Sequence, residues 1–449
     1  MKFKNLLLVS ASLAIFGACS DDDLQIDIPE TDTEQPDEEQ PDHENSSPAP
    51  FSLITLDNGA VDVDLNPVLT WSSTTDPDGD EITYKLLLDV NESPETMLAE
   101  GLTTTEFSIA KSLQRNKVYY WKVAASDGSK GETESTETFS FSTKGFTMPE
   151  SALTSNTEFS SRRDHTLTEF DGKLWAIGGK DDSSSYGDVW SSIDGKTWQL
   201  EAEDPFGFFS KTNHTAIVFN NKLWVIAGGF SDVWSSSNGK DWTRENGSAG
   251  FGAREGHSTI VYDNKLWVIG GTVGSTQKND VWYSENGITW SQAAAGTQFS
   301  PRTDHSTVVL DGKMYLMGGT SVQDFSPSFY NDVYTSTDGV NWTEVATETV
   351  FEIRANHASF VHDQKIWIIG GWQAVTNQET FAQDIVTFRG VWYSEDGKQW
   401  SKLTVNESFH PRMGTAATVY DDKIIISGGL NIDQLQNKRT HYNDIWVIE

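Results

Sequence analysis

The chain has 449 residues, with 66 Asp and Glu against 32 Lys and Arg, a formal charge of −34 and a single cysteine. That length suits two to four domains at about 100–200 residues each; the charge opposes any tracking of nucleic-acid phosphates, and one thiol excludes both an intrachain disulfide framework and a cysteine-based zinc site. Seventeen tryptophans and 36 glycines, without long alanine- or leucine-rich stretches, point to short strands and turns, an all-β protein.

Residues 1–18, MKFKNLLLVSASLAIFGA, place Lys2 and Lys4 ahead of an apolar run too short to span a bilayer, the pattern of a signal peptide. The lone Cys19 after Gly17 and Ala18 resembles the lipobox of bacterial lipoproteins, with Phe16 where leucine is usual. The resemblance implies lipidation at Cys19. Ser20-Asp21-Asp22-Asp23 is similar to the acidic export signal of Bacteroidota lipoproteins, which implies a cell outer membrane address, lipid-anchored and surface-exposed. From Ser20 to Pro48 there are twelve acidic residues and no Lys or Arg, with almost nothing apolar to offset ordering entropy. Residues 19–48 therefore read as the lipidated cysteine and an acidic, extended tether.

Residues 49–144 alternate in strand fashion between turn signals, the pattern of an all-β sandwich. Leu113, Tyr119, Trp121, Val123 and Ala125 resemble the tyrosine-corner strand of fibronectin type III domains, with Trp71 as core tryptophan. Asp76, Asp78 and Asp80 flank a tight turn. They could hold Ca²⁺, which takes six to eight oxygens, but the twelve-residue helix-flanked loop pattern is absent and a solvated turn is the simpler expectation; no other cofactor is implied.

Residues 145–449 repeat. Double glycines fall at 178/179, 228/229, 270/271, 318/319, 370/371 and 428/429, each followed by a variable loop, an Asp-Val-Trp-like strand, and in five units an outer tryptophan (Trp198, Trp242, Trp290, Trp342, Trp400). Asp-Gly, Asn-Gly and similar pairs between apolar runs divide each unit into four strands. Four strands repeated six times predict a six-bladed β-propeller, and the pattern resembles kelch repeats of the galactose-oxidase central-domain type. The Ser-x-Asp-Gly-x-x-Trp turns are similar to a shortened sialidase Asp box. The last unit ends after its third strand at Glu449, so the stretch from Phe146 to Phe159 is expected to supply its outer strand and close the ring, Phe146 filling the tryptophan position.

Alternating strands put the loops after the double glycines and those between units on one face. Variable loops on a rigid scaffold are where binding residues usually lie. These carry Tyr186, Phe325, Phe329, Tyr330, Trp372, Phe381, Phe388 and Tyr442, with Phe206, Phe208, Phe209, Phe299 and His410 between units. Trp372 lies outside the repeated positions and is the expected aromatic platform for a sugar. Arg162, Lys211, Arg254, Arg302, Arg354 and Arg412 recur near the central channel. Such a ring would suit carboxylates or sulfates, or would pair with the Asp of the Asp-Val-Trp strand in every unit. His165, His214, His257, His305 and His357 recur too, but Thr415 takes the sixth position, which argues for structural histidines and against a symmetric metal ring.

The expected function is capture of a glycan or protein ligand, without catalysis, by a monomer whose only membrane contact is its lipid. The expected ligand contacts are Trp372, Arg302, Arg354, Arg412, Arg254, Tyr330, Phe381 and Tyr442. The alternative is a carbohydrate-active enzyme, since the resemblance includes sialidases and sialic acid mutarotases. It would draw on Arg302, Arg354, Arg412, Asp324 and Glu379. A copper radical oxidase needs a cysteine in the propeller, where there is none.

Overall fold

The computed structural model describes residues 44–129, 131–207, 211–294, 296–323, 326–376 and 383–449. The expected signal peptide, Cys19, most of the tether, and Phe208, Phe209, Asp324, Phe325, Glu379 and Phe381 lie outside the described residues.

The first folded unit packs a three-stranded sheet (Leu53–Thr55, Val68–Trp71, Glu106–Ser108) on a larger one built around Thr83–Asp89, Val118–Ser126 and Phe139–Thr143. Alternation along Val118–Ser126 turns Trp121, Val123 and Ala125 inward, where they meet Leu69, Trp71 and Phe141 in a core with almost no exposed surface. The Tyr119 ring stacks on Phe141, and its hydroxyl accepts the backbone N–H of Gln114 at 3.1 Å. Asp76 Oδ1 accepts the N–H of Asp78 at 2.7 Å and Asp78 Oδ2 that of Ser46, so these carboxylates stabilise their own turn.

Six sheets of one build follow. In each, the first two strands meet at a two-residue turn whose residues both have positive φ: Asp171-Gly172, Asn220-Asn221, Asp263-Asn264, Asp311-Gly312, Asp363-Gln364 and Asp421-Asp422. This mirror-image turn matches the right-handed twist of the strands, and Asn, Asp and Gly tolerate it best. At the other hairpin, Ser192 Oγ accepts the Gly195 N–H at 2.9 Å, and Asp194 Oδ1 accepts those of Lys196 and Thr197. The Trp198 indole donates to the Gly195 carbonyl at 3.2 Å. The same pattern recurs at Ser236, Ser284, Ser336 and Ser394.

Each sheet buries both faces against its neighbours. Trp175, Ile177 and Val189 of the first sheet meet Leu223 and Val225 of the second, all at 2% exposure or less, and at about 1.5–3 kcal/mol per buried aliphatic side chain such seams dominate stability. The innermost strands touch in cyclic order, Thr166–Phe170 beside Thr215–Phe219 and so on to Ala416–Tyr420, which returns to Thr166–Phe170. The last sheet, Ala416–Tyr420, Lys423–Asp433 and Lys438–Ile448, gains an outer edge from residues ahead of the first. Thr147 and Glu449 exchange N–H···O bonds at 2.9 and 3.0 Å, and the Leu153 N–H donates to Ile445 at 2.7 Å. Phe146 packs edge-on against Trp367 with ring centroids 4.6 Å apart.

The sandwich abuts the tight-turn face. Lys117 pairs with Glu395 at 3.0 Å, the Arg115 N–H donates to Asp363 at 3.3 Å, and the Arg115 guanidinium lies over Phe146. The described residues begin at the other end of the sandwich, where Asn45 donates to Asp127 at 2.8 Å.

Candidate functional site

The recurring cation of each sheet is buried. Arg162, Arg254, Arg302, Arg354, Arg412 and Lys211 are at most 1% exposed. Arg302 donates to both oxygens of Asp332 at 2.5 and 2.8 Å and to the Gly318 carbonyl at 2.9 Å, under the ring of Tyr330. Arg162 with Asp188, Arg254 with Asp280 and Arg412 with Asp444 also use both oxygens, and Lys211 donates to one oxygen of Asp232 at 2.7 Å. In the fifth sheet Gly390 stands where the others have aspartate. Arg354 there pairs with Glu352 from its own approach loop, which also accepts the Trp392 indole N–H. Burial lowers the Arg354 guanidinium to about 10.

These contacts correct the expectation that Arg254, Arg302, Arg354 and Arg412 meet a ligand. Their donors are committed inside the blade, because a buried guanidinium is tolerated only with its charge and hydrogen bonds satisfied. Tyr330, Tyr442, Tyr186 and Phe388 are the half-buried lids over these cations, at 4.2, 4.5, 4.3 and 4.8 Å. His410 stacks on Tyr442 at 6.0 Å. Phe206 and Phe299, expected on the binding face, are core residues at 0% and 1% exposure, set edge-on against Trp242 and Trp342.

The double glycines link neighbouring sheets. The second glycine's N–H donates to the carbonyl of the next sheet's cation: Gly271 to Arg302 at 2.9 Å, Gly319 to Arg354 at 2.9 Å, Gly371 to Arg412 at 2.8 Å. A Cβ on Gly371, at φ 98°, would lie 2.9 Å from the Ala355 carbonyl oxygen. In the second sheet the pair is displaced by one. Ala227, at φ 59°, takes the first position and offers its carbonyl to Lys211, leaving Gly228 for the second. The double glycine at 228/229 is therefore not equivalent to the other five.

The five histidines lie where neighbouring sheets meet. Nε2 of His214, His257, His305 and His357 reaches the hydroxyl of Thr166, Thr215, Ser258 and Ser306 on the preceding sheet at 2.8–3.2 Å. His165 uses Ser427 at 3.1 Å. Burial lowers His165, His214, His305 and His357 to about 3, so the rings are neutral. Thr415 answers the sixth position by donating to the Ser427 carbonyl. Among the described residues no group of three or more His, Cys, Asp or Glu converges to hold a metal ion.

Just before each histidine position stands a residue in the left-handed conformation: Asp164, Asn213, Gly256, Asp304, Asn356 and Gly414, at φ 50–61°. Their backbones form a closed circle. Asn213 donates to Asp164, Gly256 to Asn213, Asp304 to Gly256, Asn356 to Asp304, Gly414 to Asn356 and Asp164 to Gly414, at 2.8–3.4 Å. Sequence reading missed this ring, although it is legible as the residue before each histidine. Together with the histidines it lines a cavity of about 150 Å³ at the channel mouth, above a second of about 230 Å³. Asp164 pairs with Arg163 at 2.5 Å and with Lys180 at 3.3 Å. Asp304 has no such partner among the described residues; burial first, then the charges of Asp164 and Glu255, raise it to about 7.

Around this mouth the expected loops are mostly hairpins. Thr320–Gln323 pairs with Ser326–Phe329, and Trp372–Thr376 with Gln383–Thr387. Trp372 is half-buried and meets Phe329 of the adjoining hairpin edge-on at 4.9 Å. Thr387 donates to Asn431 at 2.6 Å, and Arg439 donates to Asp182 at 2.7 and 2.8 Å. The extensions of the fourth, fifth, sixth and first sheets thus brace one another as a wall. The second sheet turns directly from Ile226 to Val233 and leaves that side low.

Sheets of four strands closed around a polar channel, with insertions on one face, define a β-propeller, and the repeated Gly-Gly and Asp-Val-Trp contacts make it a kelch-type one. The KLHDC2/KLHL20/DRC7 Kelch-repeats domain family matches residues 236–429. A solved structure titled "Structure of YjhT" is similar at a TM-score of 0.52 and 15% identity, over 66% of this chain and 99% of that one, a likeness of fold. No curated protein matches the sequence.

Proposed function

We propose that the protein is a surface lipoprotein of the bacterial outer membrane, anchored through Cys19, in which a fibronectin type III-like sandwich carries a six-bladed kelch-type propeller that captures a glycan or protein ligand without catalysis. The observation that carries this reading is the asymmetric wall of braced hairpins around a polar mouth, on the face opposite the sandwich. The recurrent residues keep the sheets together, whereas the insertions differ from sheet to sheet, as expected where selectivity resides. The address is supported by the leader, and Asn45, just after the acidic stretch, meets the sandwich at Asp127, away from the propeller. A strand such as Val118–Ser126 spans roughly 30 Å at about 3.3 Å per residue, so the sandwich acts as a spacer with the mouth directed away from the anchored end.

A second reading, a carbohydrate-active enzyme, draws on Asp164 and Asp304, two carboxylates at one mouth, the first ion-paired with Arg163 and the second raised by burial, an arrangement that acid–base chemistry uses. Glycan and peptide arrays probed with the chain from Glu44 onward test the first reading. A bound ligand weakened by Trp372→Ala supports it. Turnover of a sialoside or of an anomeric sugar mixture, abolished by Asp304→Asn, assigns the protein to the second.

A further inference from the structure

The residues of the mouth ring, taken in order, are Asp164, Asn213, Gly256, Asp304, Asn356, Gly414: the triplet Asp-Asn-Gly occurs twice, so each residue faces its own type across the axis. The two halves are chemically alike but are not in the same state. In one, the Asn356 amide reaches over Gly414 and donates to Asp164 Oδ1 at 2.8 Å. In the other, Asn213 and Asp304 flank Gly256 in the same way, yet no hydrogen bond joins their side chains, and neither has another hydrogen-bond or ion-pair partner among the described residues. Gly256 lets the Asp304 carboxylate and the Thr303 hydroxyl lie against its backbone: a Cβ there would collide with Thr303 Oγ1 and come within 2.6 Å of Asp304 Oδ1.

We infer that this open half of the ring is a sugar-hydroxyl subsite, in which one hydroxyl of a neutral glycan accepts from the Asn213 amide and donates to the Asp304 carboxylate over Gly256. The inference rests on the binding reading above and narrows its ligand to a neutral carbohydrate. A hydroxyl fits because it is donor and acceptor at once, as the slot requires. A carboxylate or sulfate does not, since it would add negative charge beside Asp304, which burial first, then the charges of Asp164 and Glu255, already raise. Arg163 and Lys180, the nearby cations, are engaged by Asp164. An aliphatic group would leave both polar side chains unpaired. The low side of the wall, at the second sheet, is the side on which Asn213 stands, so a chain end can approach there.

The test is calorimetric titration of the full chain with maltohexaose, cellohexaose, xylohexaose, mannohexaose and, as the acidic comparison, sialyllactose. Gly256→Ala pushes Asp304 and Thr303 out of their places beside Asn213. Gly414→Ala, also at φ 61°, introduces the same backbone strain and a matching collision, with Asp164 Oδ1, on the half that is already bridged, and thermal unfolding confirms that both variants fold. The expected result is binding of at least one neutral hexasaccharide, weakened about tenfold or more by Gly256→Ala, the effect of losing a hydrogen bond to a charged group, and little changed by Gly414→Ala. Equal weakening by the two variants, binding of sialyllactose alone, or no binding of any neutral sugar in the set overturns the inference. An array ligand lost with Trp372→Ala but indifferent to Gly256→Ala would sink the subsite while leaving capture by the rim intact.

Discussion

The N–H of Gly429 donates to the carbonyl oxygen of Arg162 at 2.8 Å, joining the last sheet to the first by the same bond that links neighbouring sheets elsewhere. The closure has a second component at the periphery, where residues 147–157 lie along 443–449. Removing residues 146–157 deletes the outer edge of the last sheet and exposes the Trp367 and Trp446 faces that Phe146 helps cover. The shortened chain is expected to lose its single cooperative transition and to associate through the bared edge; denaturant unfolding followed by tryptophan fluorescence, with light scattering, checks this.

Among the described residues Asp332 is the sole carboxylate partner of Arg302, a guanidinium with no exposed surface. Asp332→Ala should destabilise the fold by about 3–5 kcal/mol, since it leaves the Arg302 charge buried and uncompensated. The double substitution Arg302→Leu with Asp332→Leu should cost much less, because the charge leaves with its partner. Urea denaturation of the three proteins gives the comparison. A double variant as unstable as Asp332→Ala would contradict the pairing.

The neutral histidines make the ring acid-sensitive. Their folded values, about 3 for four of them, lie below the ordinary 6.5, so the unfolded chain takes up protons that the folded chain refuses. Their contribution is therefore present above about pH 6.5 and is lost progressively as pH falls toward 3. His357→Thr borrows the residue that the sixth sheet uses, and should reduce the steepness of this loss by the equivalent of one proton. Unfolding free energy measured from pH 7.5 to 4.5 reads the slope directly.

Asp304 works with the opposite sign. Its carboxyl is raised from 3.8 to about 7, so its contribution is complete below pH 3.8 and is lost as pH rises through 7. Asp304→Asn, which places in the ring a residue type already present at Asn213 and Asn356, should gain stability over the parent between pH 4 and 7 and keep that gain above. Paired thermal melts across this range measure it; a constant difference would show that Asp304 does not titrate there.

Trp372 and Phe329 support each other between adjacent hairpins. Trp372→Ala should lower ligand affinity while shifting the melting temperature little, because the hairpins stand outside the buried seams between sheets. A loss of stability equal to that of a core substitution would instead mark Trp372 as packing for its own wall.

The turns, the strand alternation and the repeat itself were legible because each depends on residues a few positions apart. Asp-Gly and Asn-Asn pairs favour positive φ wherever they occur, and so the two-residue hairpins at 171–172 and 220–221 are local facts. The pairing of each cation with the Asp-Val-Trp strand was legible as one of two options, since a residue repeated in every unit suits a task repeated in every unit. The fifth sheet was not, because Glu352 substitutes for an aspartate from a different loop. Nor was the displaced register at Ala227, where a double glycine is present but one residue late.

The sequence by itself determined a repeating four-stranded unit and the residue types available at each turn, because the energetics of hairpins and alternating faces are local. Only the tertiary structure decided which aromatics were core and which were rim, for burial of Phe206 and Phe299 depends on the tryptophan across each seam. It alone decided which half of the mouth is bridged, since the bond from Asn356 to Asp164 joins residues 192 apart in the chain and forms only when the ring has closed.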